Sequence, residues 1–171
     1  YSVYPMVGIP DFNENTREKY GIPVDKFVYG MHQSNRKGLW SSMPLQAYAA
    51  IENEDMCFVM LGGEQQYVHQ AKSLNLKNFI HVPFVSTAEE VHEVLSCFDV
   101  YAHGRSDGEV CSSAIIEAMY HSLPIVTHKS RANNGHLWQI NGCGFLAENV
   151  EQYAKNLYYL FNDKDLYSLS S

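Results

Sequence analysis

Apolar residues come along this chain in two alternating rhythms. Short runs read as buried strands: Phe27-Val28-Tyr29-Gly30, Met56 to Leu61, Phe79-Ile80-His81-Val82, Asp99-Val100-Tyr101-Ala102, Ile125-Val126-Thr127 and Gly144-Phe145-Leu146. Longer stretches with helical spacing lie between them. Leu39 to Ile51 places Leu39, Met43, Ala47, Ala50 and Ile51 on one face, and Glu64 to Leu74 fits a second helix. A third begins at Ser86, with Glu89 at the capping-box spacing and Val91, Val94 and Leu95 behind it. Ser113 to Tyr120 and Val150 to Phe161 complete the set. Strand alternating with helix predicts parallel strands joined by right-handed crossovers. The expected fold is a Rossmann-like, doubly wound α/β domain of about six strands with helices on both faces. Residues 1–25, rich in Pro, Asn and charge, read as a lead-in, and 26–171 as the domain.

Sheets of this kind bind ligands beyond the carboxyl ends of their strands. The loops after the strands are therefore where chemistry belongs. Composition sharpens this. The 171 residues carry 19 acidic and 12 basic side chains, a formal charge of -7. No Lys/Arg run is present, which argues against a nucleic-acid surface, and any anion site must be built locally against the overall charge. Cys57, Cys97, Cys111 and Cys143 show no CxxC spacing, so a zinc or redox motif is not supported; most read as small core residues, with reduced thiols pointing to a cytoplasmic setting. No apolar run approaches the roughly twenty residues of a membrane span. The chain starts at Tyr1 without an initiating Met and reads as a piece of a longer polypeptide.

The most informative stretch runs from Arg105 to Thr127. A strand ends near Ala102, a polar loop with Gly104 and Gly108 follows, and a helix starts near Ser112 or Ser113. The first-turn amides of that helix are free to meet an anion, aided by its dipole. Two carboxylates flank them. Glu109 lies in the loop, and Glu117 lies about one turn inside the helix, where a carboxylate could grip paired ribose hydroxyls.

Glu109, seven intervening residues, Glu117-Ala118-Met119 and then Leu123-Pro124-Ile125-Val126 resemble the E-x7-E segment of family-4-like retaining glycosyltransferases of the GT-B type. Phe27 to Gly30 followed by Lys37-Gly38 is similar to that family's first strand and phosphate loop. Met56 to Gly63 resembles its second strand and Gly-rich turn, and Phe79 to Val85 its base-contacting strand end. Val7-Gly8-Ile9-Pro10-Asp11 is similar to its interdomain linker. The resemblance implies a C-terminal, donor-binding half that holds a UDP-, GDP- or ADP-sugar, needs no metal or other cofactor, and retains anomeric configuration. The acceptor falls mainly to an N-terminal domain of the same chain, the only expected route to a membrane. An isolated fragment would then bind donor without turnover.

By the same resemblance, Glu117 holds the ribose, Glu109 the sugar hydroxyls and Lys37 the diphosphate. Val110, Cys111, Ser112 and Ser113 approach sugar and phosphate through their amides. Gly62 and Val82 lie at the strand ends facing the base, and His103 ends its strand beside the pocket. The sequence also departs from the pattern. His32 stands where an Arg is usual, with Arg36 a candidate replacement; Val110-Cys111-Ser112 replaces Gly-Phe-Gly; and Ser122 stands at a helix-ending Gly.

Simpler readings stand beside these. Glu117 fits a structural ion pair, Glu109 a solvated loop acid, and Arg36-Lys37 a surface pair. Arg131 to Trp138 reads either as an ordinary loop or as one approaching the sugar. Tyr153, Tyr158, Tyr159 and Phe161 read as packing, against the domain or an absent neighbour. Two other functions compete with transfer: half of a sugar-nucleotide epimerase, and a non-catalytic interaction domain with a degenerate site.

Overall fold

The computed structural model describes residues 15–163. Its elements run α1 (Asn15–Lys19), β1 (Phe27–Gln33), α2 (Met43–Ala49), β2 (Met56–Gly62), α3 (Gln65–Ser73), β3 (Phe79–Val82), α4 (Ala88–Leu95) and β4 (Val100–Ala102). Then come β5 (Gly108–Glu109), α5 (Ser113–Tyr120), β6 (Ile125–His128), β7 (Asn133–Asn134), α6 (His136–Gln139), β8 (Gly144–Ala147) and α7 (Val150–Asn162). Six strands form one sheet in the order β3-β2-β1-β4-β6-β8, and all of its ladders are parallel. This is the doubly wound α/β fold expected from the alternating pattern.

Period-two packing explains why the central strands are apolar throughout. In β2, Met56, Phe58 and Met60 enter one core layer with Tyr29, Tyr48 and Leu157. Cys57, Val59 and Leu61 enter the opposite layer with Leu95, Tyr101 and Ile115. A strand covered on both faces has no position left for a polar residue. Gly30 of β1 is required by packing, since a Cβ there would lie 2.2 Å from the Phe98 ring.

Several boundaries move. The helix expected from Leu39 starts only at Met43, because Leu39 and Trp40 donate their amides to Glu64 Oε1 at 3.0 and 3.1 Å before the first turn closes. The capping box sits one residue later than Ser86–Glu89: Thr87 caps α4 and pairs with Glu90, which offers the same spacing. Two-residue strands β5 and β7 pair in parallel, as the sequence pattern did not indicate. Of the four cysteines, Cys57 and Cys97 are buried, but Cys111 and Cys143 are exposed rather than core residues. Ser122, in the family's glycine position, adopts φ +55°, so the left-handed helix end survives without glycine.

The segment resembling an interdomain linker, Val7 to Asp11, lies outside the described residues. From residue 15 onward the lead-in packs on the domain. Arg17 donates to Lys26 O at 3.0 Å, to Cys97 O at 2.8 Å and to Asp99 Oδ2 at 3.1 Å, and Ile22 is buried.

Candidate functional site

The strand order reverses direction between β1 and β4, which is where open parallel sheets bind ligands. Their pairing stops at Gly30–Tyr101. Beyond it β1 continues to Gln33, while β4 ends at Ala102. The separating chains open a cleft of about 290 Å³. Gln33 spans its floor, its amide donating to Gly104 O at 3.2 Å.

Both sequence-marked carboxylates line this cleft. Each is oriented by a histidine, and each histidine is backed by a buried hydroxyl. Glu117 Oε2 lies 2.7 Å from His32 Nε2, and Tyr101 Oη lies 3.1 Å from His32 Nδ1. With the proton on Nε2, His32 donates to Glu117 and accepts from Tyr101. Burial pushes the Tyr101 hydroxyl well above its ordinary range, so it stays a phenol donor. The second relay repeats the first. Glu109 Oε2 lies 3.2 Å from His103 Nε2, and Thr127 Oγ1 lies 2.7 Å from His103 Nδ1. Burial lowers the His103 pKa despite its contact with Glu109, so the ring is neutral, donating to the carboxylate and accepting from Thr127.

The two carboxylates differ in exposure. The Glu117 side chain is 37% exposed and that of Glu109 only 11%. Burial alone would raise the Glu109 carboxyl. Hydrogen bonds from His103 and Ser112, with the adjacent positive charge of Arg105, outweigh it and hold the pKa at about 2. Arg105 bonds Glu109 directly and also grips Asp107 at 2.6 and 3.2 Å. Glu109 is thus a preorganised carboxylate and not the solvated loop acid of the simpler reading. Glu117 does pair, as that reading allowed, but its partner holds it at the cleft wall.

α5 starts between the two acids. Ser112 caps it, accepting from Ile115 N at 3.3 Å, and Ser113 and Ala114 line the cleft. A helix leaves its first-turn amides without intrahelical partners. The Ser112 side chain itself is fully buried. Val110 is 77% exposed and absent from the cleft wall, as is the exposed Cys111, so the residues replacing Gly-Phe-Gly do not crowd the pocket. Instead the loop is clamped from behind: Gly108, at φ +66°, leaves no room for a Cβ beside Asn133 O, nor does Gly135 beside Val110 O.

The remaining marked residues lie apart. Val82 is a core residue, and Gly62 accepts from His81 Nε2 at 2.9 Å through its carbonyl. Arg36 and Lys37 are exposed and do not form the cleft wall; Arg36 meets Asp107 at 3.6 Å. The His32 ring is held between Glu117 and Tyr101. Arg105 and His92, which the sequence reading did not single out, do line the cleft. Arg105 was legible only as the nearest cation to Glu109. Tyr153 is buried and donates to His103 O and Val126 O, both at 2.9 Å, whereas Tyr158 and Tyr159 are exposed.

The family model for glycosyl transferases group 1 matches residues 12–168. The chain belongs to this family. Solved structures place it within the family's architecture. The chain is similar to WaaG, a glycosyltransferase involved in lipopolysaccharide biosynthesis, at 18% identity and TM-score 0.76, over 95% of this chain and 45% of that one. It is similar to Anabaena Alr3699/HepE, solved with UDP-glucose, at 19% identity and TM-score 0.71, over 93% and 48%. The C-terminal domain of LpcC, a group 1 glycosyltransferase from Francisella tularensis, aligns at 19% identity and TM-score 0.74, over 95% and 89%. The chain therefore spans about half the length of the first two and nearly all of an isolated C-terminal domain, and its fold is that of the C-terminal half of a GT-B glycosyltransferase. No curated protein sequence matches it significantly.

Proposed function

We propose that this chain is the donor-binding half of a retaining glycosyltransferase, and that the acceptor is held mainly by an N-terminal domain. The observation that carries the proposal is the pair of histidine-oriented carboxylates on either side of the first turn of α5. Glu117 accepts hydrogen bonds from the paired ribose hydroxyls. The amides of Ser113 and Ala114 meet the diphosphate at the positive end of α5. Glu109, ionised throughout the physiological range, accepts from hydroxyls of the sugar and fixes its orientation.

As the glycosidic bond to the diphosphate breaks, negative charge grows on the leaving oxygen. Donors already in place stabilise that charge without reorganising. Here they are the helix amides and Arg105 on the cleft wall, so no divalent cation is required for neutralisation. Attack on the face that the diphosphate leaves retains the anomeric configuration. The UDP-glucose complex of Alr3699/HepE supports a nucleotide sugar as the class of donor. No helix among the described residues is long and apolar enough to cross a membrane. We place the domain in the cytoplasm, where the exposed Cys111 and Cys143 remain reduced.

The test is transfer by the full-length protein with a panel of UDP-, GDP- and ADP-sugars in EDTA, reading the anomeric configuration of the product by NMR. Retained configuration with this chain alone inactive is the expected result. Inverted product, strict dependence on a divalent metal, or transfer by this chain alone contradicts it.

A further inference from the structure

The cleft is polar at one end and apolar at the other, and the sheet order fixes which is which. Arg105 and Glu109 follow β4, and His32 and Glu117 meet above β1. Leu61 near the end of β2, and Phe84 and Val85 after β3, lie on the far side, where Ala88 and Val91 of α4 close the wall. This apolar end lies on the side of Glu117 away from Glu109. If Glu117 holds the ribose, as proposed above, this apolar end of the cleft is the slot that receives the base.

One polar side chain of α4 reaches it. His92 lines the cleft yet is only 8% exposed. Its Nδ1 lies 2.8 Å from Nε2 of His121, the residue capping the end of α5. The Tyr120 ring packs edge-on against it at 5.7 Å. Among the described residues its Nε2 has no protein partner, so this is the polar atom His92 can offer to the slot.

We infer that His92 is a specificity-determining residue that reads a carbonyl oxygen on the nucleobase through Nε2–H, with His121 as the positioning residue that sets its tautomer. Imidazole nitrogens are assigned by the bond the other nitrogen makes. His121 is held neutral, its pKa pushed by burial and the neighbouring His92 down to about 4. When its Nε2–H donates to His92 Nδ1, both rings carry the proton on Nε2, the commoner neutral form in water. That Nε2–H suits O4 of uracil or O6 of guanine and mismatches the exocyclic amine of adenine, which would leave two donors facing each other in a desolvated site.

The experiment is calorimetric titration of this chain and of its H92F, H92Q and H121F variants with UDP, GDP, ADP and the base-free ribose 5-diphosphate. Wild type is expected to bind UDP or GDP at least about tenfold more tightly than ADP, the scale of one hydrogen bond made against one left unpaired. H92F and H121F should lose that preference while holding ribose 5-diphosphate as wild type does. H92Q, which keeps an amide donor, should retain most of it. H92F keeping the full preference, or wild type binding ADP as well as the others, overturns the inference. Wild type binding none of the four, ribose 5-diphosphate included, overturns the donor site itself along with it.

Discussion

Glu109→Gln separates a carboxylate held ionised from one that burial has neutralised. In the folded protein its pKa falls from an ordinary value near 4.5 to about 2. At about 1.4 kcal/mol per pH unit, that gap corresponds to about 3 kcal/mol of stability at neutral pH, an order-of-magnitude figure. Because the folded value is the lower one, this contribution is complete above the unfolded pKa and is lost as pH falls through the folded one. By pH 3 roughly 1.4 kcal/mol of it remains. Glutamine keeps the shape and some hydrogen bonding but cannot answer the charge of Arg105 or titrate. Urea denaturation of wild type and E109Q at pH 7 and pH 3 reads the effect. The variant should be less stable by about 2–3 kcal/mol at pH 7, and the difference should shrink by about half at pH 3. Equal stability at both pH values, or a variant more stable at pH 7, would refute the reasoning, since it would show that burial outweighs the contacts of His103, Ser112 and Arg105.

His32→Phe should unpin Glu117 and weaken nucleotide binding about tenfold with a melting temperature close to wild type, measured by titration and calorimetry. Gly108→Ala forces a Cβ to within 1.8 Å of Asn133 O at a positive φ, so it should cost at least about 1–3 kcal/mol and weaken sugar-nucleotide binding more than free-nucleotide binding. Tyr153→Phe removes the donor to the buried His103 carbonyl, while the Val126 carbonyl keeps the His103 amide at 2.8 Å, and should cost about 1–2 kcal/mol in denaturant unfolding.

The sheet was legible because strands buried on both faces admit almost nothing but apolar residues, as β2 does from Met56 to Gly62. The end of β1 was not, since after the buried Met31 the chain leaves the core at His32-Gln33 to build the cleft and loses the apolar signal there. The acids were legible from their spacing around one helix start. Their orienting partners were not. His32 and Glu117 are 85 residues apart, His103 and Thr127 24, and His92 and His121 29, distances at which only the fold decides who meets. Lys37 was marked in sequence only by its resemblance to a phosphate-loop lysine, and its loop leaves it outside the cleft wall, while Arg105 occupies that wall through contacts with Asp107 and Glu109 that local sequence alone does not single out. Ser122 shows the converse: an absent glycine suggested a changed helix end, but the backbone takes the same left-handed turn.

The donor site itself is tested most directly by calorimetric titration of this chain with UDP, GDP and ADP, repeated on Glu117→Ala. Saturable binding of a nucleotide that disappears in the variant is the result predicted. Binding that survives the loss of Glu117, or no binding to any of the three by wild type, would contradict the assignment of this cleft as the seat of the nucleotide sugar.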